Sequence, residues 1–85
     1  MTTQLSLTME EKKRLGKQLE SVRYHMLRLG GWRTLAEIVR VISDWDGITA
    51  SEAGVSARLR DLRKLGYTVD KRLRSGSLWE YKVSK

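Results

Sequence analysis

The sequence predicts a mainly α-helical domain closed by a small β-hairpin, an α+β fold of three helices followed by two C-terminal strands. Apolar residues recur at helical spacing as far as Leu65, and the period then changes to alternation. Glycine alone punctuates the segments, since the chain has 7 Gly and no Pro. With 85 residues there is room for one modest core and one principal function.

The first helix is expected from Thr8 to about Leu29. Leu15, Leu19, Val22, Met26 and Leu29 recur at spacings of four, three, four and three, which draws one apolar stripe. Thr8 with Glu11 has capping-box spacing, and Gly30-Gly31 ends the helix. Gly16 interrupts the pattern at a cost of about 1 kcal/mol relative to Ala. The domain proper is therefore expected over residues 15–85, with residues 1–14 an extension or first helical turns.

Trp32 and Arg33 form at most a short extended piece. Thr34 with Glu37 then opens a second helix that carries Leu35, Ile38, Val39, Ile42 and Trp45 inward and ends between Asp44 and Gly47. Thr49 with Glu52, or Ser51 as a competing N-cap, opens a third helix that stops at Gly66. Beyond it Tyr67, Val69 and Lys71 alternate with Thr68, Asp70 and Arg72, and Trp79, Tyr81 and Val83 alternate with Leu78, Glu80 and Lys82. Arg74-Ser75-Gly76-Ser77 supplies the turn between these strands.

Charge is unevenly distributed. Of the net +7, residues 1–57 hold eight Lys/Arg against seven Asp/Glu (+1), and residues 58–85 hold nine against three (+6). A cationic excess in one contiguous unit points to a polyanionic partner, nucleic acid before an anionic surface. The chain has no Cys and a single His, His25, which excludes disulfides, thiolate metal sites and Cys or His-paired catalysis. His25 is expected as a surface or half-buried helix residue.

There is no Gly-rich phosphate loop, and Glu10, Glu11, Asp44 and Asp46 are assigned to helix-end electrostatics. The reading is of a protein that is not an enzyme and takes no cofactor or metal. No signal peptide or membrane span is visible, so a cytoplasmic chain with no membrane partner is expected.

The second and third helices are close enough in sequence to cross as a helix-turn-helix, with the hairpin as a candidate wing. The stretch VSARLRDLRKLGYTV, Val55 to Val69, resembles the recognition helix and following strand of winged helix-turn-helix DNA-binding domains, and TLAEI, Thr34 to Ile38, resembles the start of the preceding helix. The phrasing is especially similar to small bacteriophage and prophage winged-helix proteins, over roughly residues 22–83. The resemblance implies a third helix in the major groove, a wing on phosphates or the adjacent minor groove, and a role in transcription regulation, replication or packaging. Two features depart from it: the acidic turn SDWDG, Ser43 to Gly47, and the long first helix.

On the third helix Val55, Leu59 and Leu62 share the core side, which leaves Ala50, Ala53, Ala57, Arg60, Asp61 and Lys64 outward with Gly54 and Arg58 flanking. Arg60 and Arg58 suit guanine, and Ala53 and Ala57 suit thymine methyls; without Asn or Gln on this helix, modest sequence specificity is expected. Ser51 and Ser56 suit phosphate, although Ser51 serves equally as a helix cap. In the wing Lys71, Arg72 and Arg74 are placed to meet phosphates, or else guard the hairpin edge. If four to six cations engage phosphates, the log–log salt slope is about −4 to −5.

Trp32, Trp45, Trp79 and Tyr81 are read as packing, with Trp79 and Tyr81 closing the hairpin onto the helices. The rival reading is a protein-interaction module, such as a phage inhibitor of a host protein complex, suggested by the alanine-rich outer face with Asp61 in it. Leu5, Leu7 and Met9 offer a homodimer contact.

Overall fold

The computed structural model describes residues 9–85, the side chain of Glu11 excepted. Among these residues the order is α1 (Met9–Leu29), β1 (Arg33–Thr34), α2 (Leu35–Asp46), α3 (Glu52–Lys64), β2 (Thr68–Ser75) and β3 (Leu78–Ser84). The strands form one antiparallel sheet in the order β1-β3-β2. It is a small α+β domain of three helices and a three-stranded sheet.

α1 runs unbroken through Gly16. The expected Thr8–Glu11 capping box, and the dimer contact through Leu5 and Leu7, lie outside the described residues. Val22 and Met26 are buried as the stripe requires, but Leu29 is exposed and Gln18, Ser21 and His25 are buried. The inward face of α1 is thus part polar, and each of these three side chains has a partner across the core: Gln18 Nε2 donates to the Thr49 carbonyl at 3.2 Å, while Ser21 Oγ and His25 Nε2 both bond Asp46 Oδ2, the latter at 3.0 Å.

α2 has both halves of its predicted capping box, with Thr34 Oγ1 accepting from the Glu37 amide and Glu37 Oε1 accepting from the Thr34 amide. The Thr34 amide bond is the chief reason the Glu37 carboxyl is held below its ordinary pKa; partial burial opposes this and the nearby Arg74 adds to it. Gly47 ends the helix in the left-handed region at φ 65°, where Gly carries no Cβ penalty. Ile38 and Ile42 are buried as expected. Trp45 is not inward: it is 69% exposed. One turn beyond Ile42, the end of α2 has passed the edge of the core.

Asp46 corrects another expectation. A carboxylate at a helix C-terminus is opposed by the helix dipole, so the dipole does not explain it. Its bonds to Ser21 and His25 do, the Ser21 bond being the main cause that lowers its pKa, with burial opposing and His25 adding. The acidic turn therefore fastens the end of α2 to α1. His25 is 3% exposed rather than a surface residue.

Between the two candidates for the N-cap of α3, Ser51 holds the position, its Oγ accepting from the Gly54 amide at 3.0 Å. Val55, Leu59 and Leu62 face the core, where Val22, Met26, Ile38, Ile42, Val69 and Val83 join them. Ala50, expected outward, packs partly buried against that core. The hairpin strands extend beyond the predicted limits, to Ser75 and Ser84, with Gly76 at φ 53° in the turn. Short β1 covers only Tyr81 and Glu80 of β3, so β3 runs on toward the tip without a neighbour on that side.

Candidate nucleic-acid interface

The pleat of the hairpin decides which cations meet α3. Pairing sets Val69 opposite Val83, Lys71 opposite Tyr81 and Leu73 opposite Trp79 on the face toward α3. Arg72 opposite Glu80 and Asp70 opposite Lys82 occupy the other face. Lys71 and Arg72, neighbours in sequence, therefore point to opposite sides.

On the α3 side a cleft is lined by Ser56, Arg60, Arg63, Lys71 and Tyr81 over the core residues Leu59 and Val69. Ser56, Arg60 and Arg63 stand at i, i+4 and i+7, one stripe of α3. Arg63 is braced to the strand by donating from Nε and Nη2 to the Val69 carbonyl, at 3.3 and 2.9 Å. Lys71 Nζ lies 4.7 Å from the centre of the Trp79 ring. Among the described residues, Arg60, Lys64 and Lys71 have no ion pair. At about 160 Å³ the cleft is too small to enclose a ligand of nucleotide size, which suits a contact made by a larger molecule lying across it.

Three of the expected binding residues are otherwise occupied. Arg58 is 13% exposed, its Nε donating to Asp61 at 2.9 Å and its Nη1 to Gln18 of α1 at 3.4 Å. One residue before Leu59 and three after Val55, it lies on the flank of α3 that meets α1, so it is not placed to read a base. Arg72 donates to Glu80 at 3.0 Å and lies 4.4 Å above the Trp32 ring, with Lys82 at 6.0 Å from the same ring. Arg74 stands 3.5 Å from Glu37 and 3.6 Å from Glu80. Arg74 thus braces the far face of the sheet to the start of α2, while Arg72 holds Glu80 and covers Trp32 before β1.

The remaining expected residues divide simply. Ala53 is exposed and Ala57 half-buried on the outer side of α3, Lys64 is exposed at its C-terminal end, Ser56 is half-buried in the cleft and Ser51 is engaged as a cap. Tyr81, expected as packing, and Arg63, not singled out, join the cleft, although the i, i+4, i+7 spacing of Ser56, Arg60 and Arg63 carried that signal for Arg63.

The aromatic residues do not all pack inward. Trp32 lies under Arg72 and Lys82, while Trp79 is 41% exposed at the hairpin tip. Trp45 and Tyr24 are exposed together with the Arg28 guanidinium 5.6 Å from each ring.

Comparison with family models, curated proteins and solved structures finds no match to this chain. Among the described residues, no group of three or more His, Cys, Asp or Glu could hold a metal, and no helix is long and apolar enough to cross a membrane.

Proposed function

We propose that this chain is a winged helix-turn-helix domain that binds double-stranded DNA, with α3 in the major groove and the β2–β3 hairpin as the wing. The order helix, short strand, helix, helix, two-stranded hairpin supports the fold assignment. The observation that carries the function is the convergence of Ser56, Arg60, Arg63 and Lys71 in one cleft between α3 and the hairpin. A duplex backbone resting there meets three cations and a hydroxyl from two elements at once.

Arg60 supplies the guanine-type contact, Ala53 and Ala57 allow close approach, and Lys64 and Lys71 bind phosphate. A phage or bacterial transcription regulator or DNA accessory factor is the role that fits. With Arg58, Arg72 and Arg74 engaged inside the protein, three or four cations remain, and the expected log–log salt slope is about −3 to −4 rather than −4 to −5. Titrating a random duplex at several salt concentrations tests this. Arg60→Ala with Lys71→Ala should flatten the slope by about 2. Binding that is absent at low salt, or indifferent to salt, refutes the proposal.

A second reading is favoured by Tyr24, Arg28 and Trp45, a set of residue types enriched at protein interfaces, exposed on α1 and the end of α2 and outside the cleft. On this reading the domain docks a protein partner, as an inhibitor of a host complex or as a homodimer. Trp45→Ala that abolishes a protein complex while leaving duplex binding unchanged would support it.

A further inference from the structure

The hairpin tip has a feature that phosphate binding does not explain. Leu73, Leu78 and Trp79 are 52%, 45% and 41% exposed; Leu73 pairs with Trp79 across the strands, and Leu78 and Trp79 line one cleft. Scattered exposed apolar residues need no explanation, but three large ones gathered at the end of a projecting hairpin form a patch. Between residues 71 and 79 the sequence holds three cations, Lys71, Arg72 and Arg74, and no carboxylate. Arg72 and Arg74 are paired with Glu80 and Glu37, so Lys71, over the Trp79 ring, is the cation beside the patch that has no ion pair among the described residues.

The strand register explains how the tip is presented. A one-residue irregularity between Leu73 and Ser75 bends the end of the hairpin, and β3 from Leu78 to Trp79 lies beyond the reach of β1. Leu78 and Trp79 line a second cleft with Leu35, Ala36 and Glu52, and Tyr81 lines both this cleft and the cationic one. The apolar tip is thus continuous with the surface proposed to hold the duplex, and Lys71, above the Trp79 ring, belongs to both.

We propose that Leu73, Leu78 and Trp79 form a wedge that enters a groove of the bound duplex, opens a base step and bends the DNA. This rests on the duplex-binding reading above and adds a deformation to it. An apolar tip beside the cationic cleft is suited to such an insertion, because Arg60, Arg63 and Lys71 hold the adjacent backbone while the indole and leucines replace the stacking surface lost when a step opens. A flat anionic bilayer fits the geometry less well, because seating the tip in it leaves Arg60 and Arg63 inside the cleft without a phosphate.

The test uses the full chain and a duplex of about 25 base pairs carrying a fluorescence donor and acceptor at its ends, long enough to report a bend in the 20–90° range of such wedges. Saturating wild-type protein should raise energy transfer. The L73S/L78S/W79S variant, whose unfolding temperature is measured in parallel, should bind with an unchanged salt slope and leave transfer at the free-duplex level. Wild type should also prefer a duplex weakened by one central mismatch by about tenfold, a preference the variant lacks. If the triple variant is unstable, W79S alone is read in the same way.

Wild type that saturates the duplex without raising transfer, or a variant that bends it equally, overturns the wedge and leaves duplex binding standing. No binding to any duplex at low salt overturns both. Binding to phosphatidylglycerol vesicles that depends on the three tip residues, with the duplex left straight, assigns the tip to a lipid surface and overturns the wedge.

Discussion

On the duplex-binding proposal, removing Glu80 should lower stability and steepen the salt dependence of binding. Its side chain is 10% exposed and meets two guanidinium groups, Arg72 at 3.0 Å and Arg74 at 3.6 Å, which are themselves 55% and 49% exposed. A charge-assisted hydrogen bond to a buried carboxylate contributes about 1.5–3 kcal/mol, and solvent at the exposed arginine ends reduces this. Glu80→Ala should therefore destabilise the fold by about 1–2 kcal/mol, a fall in Tm of roughly 4–16 °C for a domain of this size. The same substitution releases Arg72 from its carboxylate partner and leaves Arg74 held by Glu37 alone. If both then reach phosphates, the salt slope steepens by about 1.8, from 0.9 per added contact. Thermal unfolding by circular dichroism and duplex titration across salt read the two effects on one preparation. A variant that loses stability with no steepening of the slope would refute the claim that internal pairing withholds these arginines from DNA.

Two further predictions concern the core and its polar fastening. Ile42, with 0% exposure at the meeting of α1, α2 and α3, should cost about 2–5 kcal/mol when cut to Ala, read as a lowered denaturation midpoint with an unchanged m-value. The lowered pKa values of Asp46 and Glu37 stabilise the fold above the ordinary carboxylate range, and that stabilisation is lost as pH falls through their folded-state values. Tm should thus drop below about pH 4, and Asp46→Asn should lower Tm at neutral pH while making the acid loss shallower. An acid limb identical to wild type would show that the Ser21–Asp46–His25 contact does not contribute.

The helices and strands were legible because each is written in local terms. Thr34 and Glu37 sit at the spacing that closes a capping box, Gly47 stands where a left-handed residue must end α2, and the alternation from Tyr67 onward has the period of a pleated strand. The polar contacts across the core were not legible. Gln18 and His25 border the apolar stripe of α1 and Ser21 lies further round the helix, but only the arrival of Asp46 and Thr49 from a distant turn gives these polar side chains partners. Trp45 misled for the complementary reason: its spacing from Ile38 and Ile42 is helical, but an inward phase buries a residue only while a neighbouring element lies opposite it.

The candidate site shows the same division between phase and partner. A net of +6 over residues 58–85 reads as a single cationic surface, yet three of its arginines are engaged by Asp61, Gln18, Glu80 and Glu37. Charge counted along a sequence overstates the charge available to a ligand whenever the carboxylates lie on facing elements, because a cation already paired gains less on meeting a phosphate. The alternation of the strand could have separated Lys71 from Arg72, since a pleat sends adjacent residues to opposite faces. It could not have shown that Glu80 waits on one face and Arg60 on the other. That asymmetry leaves Lys71 as the hairpin cation that lines the cleft with α3 and has no ion pair among the described residues.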